Sequence, residues 1–166
     1  MRTITLPLFG ALLATHGGHF GAILRGAAAD GSEDFALIVA EQSAEIEDAV
    51  WSEDYTTIAG ADSKTDGRAN TEAMAAAGLQ LAQRIQALDL GGHTDWYLPA
   101  AAELRALSAT VPELFNPQDY YWSSTQYSRY GAWCQAFECG DSGADRKDDE
   151  FRARPVRRVQ LHTLNT

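Results

Sequence analysis

Only two cysteines, Cys134 and Cys139, occur among the 166 residues. Two cysteines cannot make a disulfide framework, so the fold has to rest on a packed core. On one straight strand the pair would lie roughly 16 Å apart. A bridge needs Cα atoms within about 7 Å and therefore a sharp bend, so both are expected as free thiols. Positive charge is also scarce, with 13 Lys and Arg against 23 Asp and Glu and a net charge of -10. A phosphate backbone would be repelled, which argues against a nucleic-acid partner. No apolar run approaches the ~20 residues of a membrane span. The opening "MRTITLPLFGALLATHGG" has an early Arg and an apolar run. Pro7 and Gly10 interrupt that run and no A-x-A site follows, so the segment reads as part of the fold rather than as a signal peptide. Tandem repeats, low-complexity tracts and linkers are absent as well.

What is present points to one globular domain over residues 1–166. Hydrophobic residues make up 45% of the chain, enough for a sizeable core. "FGAILR" (20–25) and "FALIVA" (35–40) read as two strands of a hairpin, the second a buried strand. Residues 52–70 read as a loop. A helix follows from Asn70 or Thr71 as cap, with Met74, Leu81, Ile85 and Leu88 on one face and Gly91 and Gly92 as the left-handed stop. Pro99 suits the entry to a second helix, with Glu103 in its first turn, Leu104 and Leu107 inward, and Pro112 limiting it. "WSSTQ", "AWCQAFE" and "VRRVQL" then read as strands. The order strands, helix, helix, strands is that of an α+β fold, with two helices packed on a small mixed or antiparallel sheet. Trp96, Leu98, Trp122, Trp133 and Phe137 are the expected core. Arg152, Arg154, Arg157 and Arg158 are expected to pair with local carboxylates.

Four motifs in order, "DWYLPAAAEL", "YYWSST", "GAWCQAFECG" and "RARPVRRV", resemble the C-type-lectin-like domains of the DUF1566 group, which share the broader fold of formylglycine-generating enzymes. "GGHFGAILRG" with "DFALIVAE" resembles the N-terminal hairpin of phage-borne members. Residues 120–159 look most like the variable region of a diversity-generating retroelement protein. The resemblance implies a C-type-lectin-like fold that displays a diversified binding face, with no catalysis and no cofactor. The implied partner is a protein or glycan on another surface, and the implied location a phage particle or a cell surface.

In such systems adenines of a template are mutated. Asparagine codons changed at their first two bases can yield Tyr, Ser, Arg, Gly, Cys, Asp, Ala or Phe, but never Trp, Gln, Glu, Lys or Met. On that resemblance the ligand-binding set is Tyr127, Arg129, Tyr130, Cys134, Ala136, Cys139, Asp141, Ser142, Gly143, Ala144, Asp145, Arg146, Asp148, Asp149 and Phe151. Trp122, Gln126, Trp133, Gln135, Glu138, Lys147 and Glu150 are then constant framework. Strand alternation predicts that Cys134 and Ala136 share a face opposite Trp133, Gln135 and Phe137, one face being core and the other display. An unvaried phage or bacterial surface adhesin of the DUF1566 type is the alternative reading.

A third reading is enzymatic. Formylglycine-generating enzymes carry two cysteines five residues apart that bind copper, and Cys134 and Cys139 have that spacing, but the glycine-rich framework before those cysteines is missing. His16 and His19 in "HGGH" suit a turn better than a metal pair. Asp62 and Asp66 in "GADSKTDG" lack a full calcium ligand set, so no metal site is expected there.

Overall fold

A computed structural model of the chain describes residues 5–165. The opening segment can be followed from Thr5, and Met1–Ile4 lie outside the described residues. Leu12–Leu13 (β1), Gly18–Leu24 (β2), Phe35–Ala40 (β3) and Val156–Gln160 (β9) form an antiparallel sheet in the order β1-β2-β3-β9. The expected hairpin is β2 with β3, and the N- and C-terminal parts of the chain meet at the β3–β9 pair. A second sheet contains Ile46–Val50 (β4), Glu150–Ala153 (β8), Tyr120–Gln126 (β5), Gly131–Ala136 (β6) and Ser142–Arg146 (β7), in the order β4-β8-β5-β6-β7. Its β5–β8 pair is parallel and the others antiparallel, so the class is α+β with mixed and antiparallel sheets.

Every residue of β3 is buried, as its unbroken apolar run predicts. Its side chains alternate between two cores. Ala36, Ile38 and Ala40 join Trp51, Met74, Ile85, Trp96, Leu98, Trp122 and Cys134. Phe35, Leu37 and Val39 join Tyr97, Leu104, Leu107, Phe115, Tyr121 and Phe137. Trp96, Leu98, Trp122 and Phe137 are therefore core, but Trp133 is only half-buried.

The helical region differs from the sequence expectation. Among the described residues there are three α-helices, Gly67–Ala76 (α1), Gln80–Gln86 (α2) and Ala101–Thr110 (α3). The first predicted helix breaks at Gly78, whose φ is 89°. Leu79 N donates to Met74 O and Gly78 N to Ala75 O, both at 3.0 Å, which makes a Schellman stop. Gly91 and Gly92 instead make the turn between Leu90 and His93. The cap of α1 is Asp66, which accepts from Ala69 N at 3.1 Å. Asn70 and Thr71 are buried within the helix and tie it to its neighbours, Asn70 Nδ2 donating to Ser63 O at 2.7 Å and Thr71 Oγ1 accepting from Leu98 N at 3.0 Å.

Glu103 is the hub between α1, α3 and β9. It is fully buried, and its Oε2 accepts from Ala100 N at 2.8 Å and Gly67 N at 3.2 Å. Its Oε1 takes the Tyr97 hydroxyl at 2.9 Å and Arg158 Nη2 at 2.6 Å. Burial raises its pKa while Arg158 opposes that rise. Gly67 is required at this crossing, because a Cβ there would sit 2.5 Å from both Ala100 N and Glu103 Oε2. The other three arginines of the expected cluster are also paired: Arg154 with Glu45, Arg157 with Asp95, and Arg152 with Glu45, Glu47 and Asp119. Among the described residues no helix is long and apolar enough to cross a membrane.

Candidate binding face

Strand β5 ends at Gln126, and the chain turns through residues 127–130 into β6. The turn is held by the backbone: Tyr127 N and Ser128 N donate to Gly131 O at 2.9 and 3.0 Å. Ser128 Oγ accepts from Tyr130 N and Gly131 N, both at 3.1 Å. None of these bonds uses the side chains of Tyr127, Arg129 or Tyr130, so the turn keeps its shape whatever they are. Beside it runs the outer edge strand β7, followed by a turn in which Asp149 N donates to Arg146 O at 3.0 Å.

Two residues expected to be constant lock this edge to the loop of residues 52–58. Lys147 is fully buried, and its amine donates to Thr56 O at 2.7 Å and Gln126 Oε1 at 2.6 Å. The amine also lies 4.6 Å from the centre of the Trp51 ring. Burial lowers its pKa to about 8. Gln126 Oε1 accepts Ile58 N at 2.8 Å in addition. Lys147 N reaches Tyr130 O and Ser52 N reaches Lys147 O, closing the seam at 2.9 and 3.0 Å.

Above this seam lies a patch of aromatic and arginine side chains. Tyr127 is 62% and Tyr130 56% exposed, values usual for contact residues and not for core. Tyr127 stands edge-on to Trp133, their ring centres 5.2 Å apart, and the Arg129 guanidinium lies 4.9 Å from the Tyr130 ring centre. Tyr55, from the facing loop, tilts against Tyr130 at 5.7 Å. Arg146 donates to the Tyr55 hydroxyl at 2.8 Å and forks onto Asp148 at 2.7 and 3.2 Å. The hydrogen bond with Tyr55, followed by that with Arg146, lowers the Asp148 pKa, and the nearby carboxylate raises the Tyr55 phenol.

The sequence-predicted set divides unevenly between surface and interior. Tyr127, Arg129, Tyr130, Cys139, Asp141, Ser142, Ala144, Asp145 and Arg146 are exposed, and Gly143, Asp148, Asp149 and Phe151 half-buried. Cys134 and Ala136 are buried, and here the predicted alternation is corrected. Cys134 points into the core beside Trp122, whereas Trp133 on the other face packs on Tyr127 near the surface. The cause is the pleat of β6, in which Ala132 and Cys134 face the first core. Phe151 is not free either, since its ring lies 4.6 Å from that of Trp122. Of the predicted framework, Trp122, Gln126, Gln135 and Lys147 are buried, Trp133 is half-buried, and Glu138 and Glu150 are exposed. Tyr55 was missed, because it sits in a polar loop with no periodic or motif signal.

The cysteines are both free. Cys139 is exposed, whereas the Cys134 thiol donates to Asp145 Oδ2 at 3.5 Å and is pushed up to about 12 by burial and that carboxylate. The histidines are separately engaged, His16 Nε2 with Thr163 O at 3.1 Å and His19 Nδ1 with Gly10 O at 2.9 Å.

A family model described as the Lcl C-terminal domain matches residues 43–157, which includes the whole of this face and the loop that carries Tyr55. No curated protein matches the chain.

Proposed function

The chain belongs to the Lcl C-terminal domain family, and from that premise we propose that it is a ligand-binding display domain without catalytic activity, its binding face diversified by a retroelement on a C-type-lectin-like scaffold. The observation that carries the reading is how codon chemistry sorts with burial. The fifteen residues assigned to the varied set are exposed or half-buried except Cys134 and Ala136, whereas four residues that mutated asparagine codons cannot encode, Trp122, Gln126, Gln135 and Lys147, are buried and hold the segment together. Exposed Tyr and Arg combine area, hydrogen bonding and modest entropy loss, the usual make-up of binding anchors. The ligand is a protein or glycan on another surface, met from a phage particle or a cell.

One observation favours the second reading, an unvaried surface domain of the same family. Cys134 and Ala136 are reachable by such codons yet lie in the interior, where random replacement would disrupt packing. The copper-oxidase reading has less support, since Cys134 turns into the core with its thiol on Asp145 while Cys139 is exposed at the surface.

Sequencing the locus in independent isolates tests the proposal. The expected result is a second copy of the segment encoding residues 120–159, with adenines at the surface codons, and a reverse-transcriptase gene nearby. Codons 134 and 136 should be without template adenines. A locus lacking any such repeat would overturn diversification and leave the unvaried domain.

A further inference from the structure

We propose that Tyr55, which lies outside segment 120–159, is a constant contact residue of the binding face for a protein partner. The inference rests on the display reading and adds to it a residue from a different part of the chain.

Its support is the way the loop of residues 52–58 is fastened. Two of the side chains that tie this loop to the display edge belong to Gln126 and Lys147, and two varied residues add ties at Tyr55, Arg129 Nε donating to its backbone oxygen at 3.3 Å and Arg146 to its hydroxyl. Lys147 holds Thr56 O at 2.7 Å and Gln126 holds Ile58 N at 2.8 Å. Both are residue types that mutated asparagine codons cannot produce. The backbone bond from Ser52 N to Lys147 O, at 3.0 Å, needs no particular side chain at all. The loop is therefore held at Ser52, Thr56 and Ile58 by ties that do not depend on the varied side chains. Tyr55 itself is half-buried and meets two of the varied positions directly, with Tyr130 at 5.7 Å between ring centres and Arg146 at 2.8 Å from its hydroxyl. A partner that covers Tyr130 and Arg146 has to meet the Tyr55 ring or hydroxyl.

The shape of the face favours a protein over a small ligand. Two clefts contain none of the varied residues, one between residues 48–54 and 77–84, which reaches the start of the Tyr55 loop, and the other around Arg68, Gln86 and Trp96. Small ligands need a concavity that covers most of their surface, whereas protein partners use open patches centred on Tyr, Trp and Arg. A tyrosine supplied by the scaffold gives every variant one anchor to which the varied residues add specificity.

The test is a display library of the full chain in which positions 127, 129, 130, 141, 142, 144, 146, 148 and 149 are randomised and selected against hen egg-white lysozyme as a model protein. Tyr55→Ala and Tyr55→Phe are then introduced into each selected binder, and affinity and melting temperature are measured. The expected result is a loss of affinity of tenfold or more for Tyr55→Ala in most binders, with the melting temperature little changed, and a smaller loss for Tyr55→Phe. Binders that keep their affinity with Ala at position 55 would overturn this inference and leave the display reading intact. A library that yields no binders would overturn both.

Discussion

Lys147 shows why a charged residue can be worth burying completely. Its amine faces two acceptors, Thr56 O and Gln126 Oε1, and a neutral amine has two N–H groups to meet them. The folded-state pKa, about 8, lies below the ordinary 10.5. Folding therefore favours the neutral form, and the unfolded chain binds more protons between those two values. The contribution of this group to stability is full above about pH 10.5 and falls away as the pH drops to about 8. Other groups titrate in the same window, so the comparison with Lys147→Met isolates it. Across pH 8 to 10.5 the melting temperature of the natural protein should rise relative to that of the variant. A difference that stays flat would mean that the amine carries the same charge folded and unfolded. Asp66 is an opposite case at the same scale, an exposed-loop residue whose role is local, capping α1 and lying 3.5 Å from Arg158.

Among the elements, those whose pattern is continuous were legible in the sequence. "FALIVA" reads as a buried strand from its unbroken run of apolar and β-branched residues, and Leu104 and Leu107 fall on the inward face of a helix. The breaks were harder to read. One helix was expected where α1 and α2 stand, because Met74, Leu81 and Ile85 keep a common face across the interruption at Gly78. A local φ of 89° there outweighs the periodicity. The face of β6 was also misassigned. Alternation tells which residues share a side but not which side is inward. What decides it is the partner strand: Trp122 is directly across from Cys134, so both turn into the same core. This orientation can be checked with a thiol reagent. Iodoacetamide on the native protein near pH 8 should label Cys139 alone, and Cys134 should react only on unfolding, since its thiol is both buried and pushed up to about 12. Rapid labelling of Cys134 in the native state would mean that β6 presents its other face.

For the whole molecule, the question is whether the binding face can change without the fold changing. Arg154, Arg157 and Arg158 are each paired with a carboxylate, Glu45, Asp95 and Glu103, none of which belongs to the candidate face. At the display edge the pairs are exposed. Arg146 with Asp148 is such a pair, with side chains 67% and 35% accessible, and pairs this open to solvent add little to stability. The ring contacts of Tyr127 and Tyr130 are similarly open to solvent. The turn at 127–131 and the seam through Lys147 depend on backbone groups and on Gln126, Ser128 and Lys147. Changing Tyr127, Arg129, Tyr130, Asp141, Ser142, Arg146, Asp148 and Asp149 together to Ala or Ser should therefore leave a cooperative melt. Its midpoint should shift by less than about 4 °C, since roughly 1 kcal/mol corresponds to 2–4 °C at this chain length. Phe151, Cys134 and Ala136 are kept in this variant because they pack against the core. Adding Phe151→Ala to the same variant should lower the midpoint clearly further, because that ring rests on Trp122. A variant that unfolds while Phe151 is still in place would mean that the eight surface residues support the fold, and a face of that kind could not be randomised.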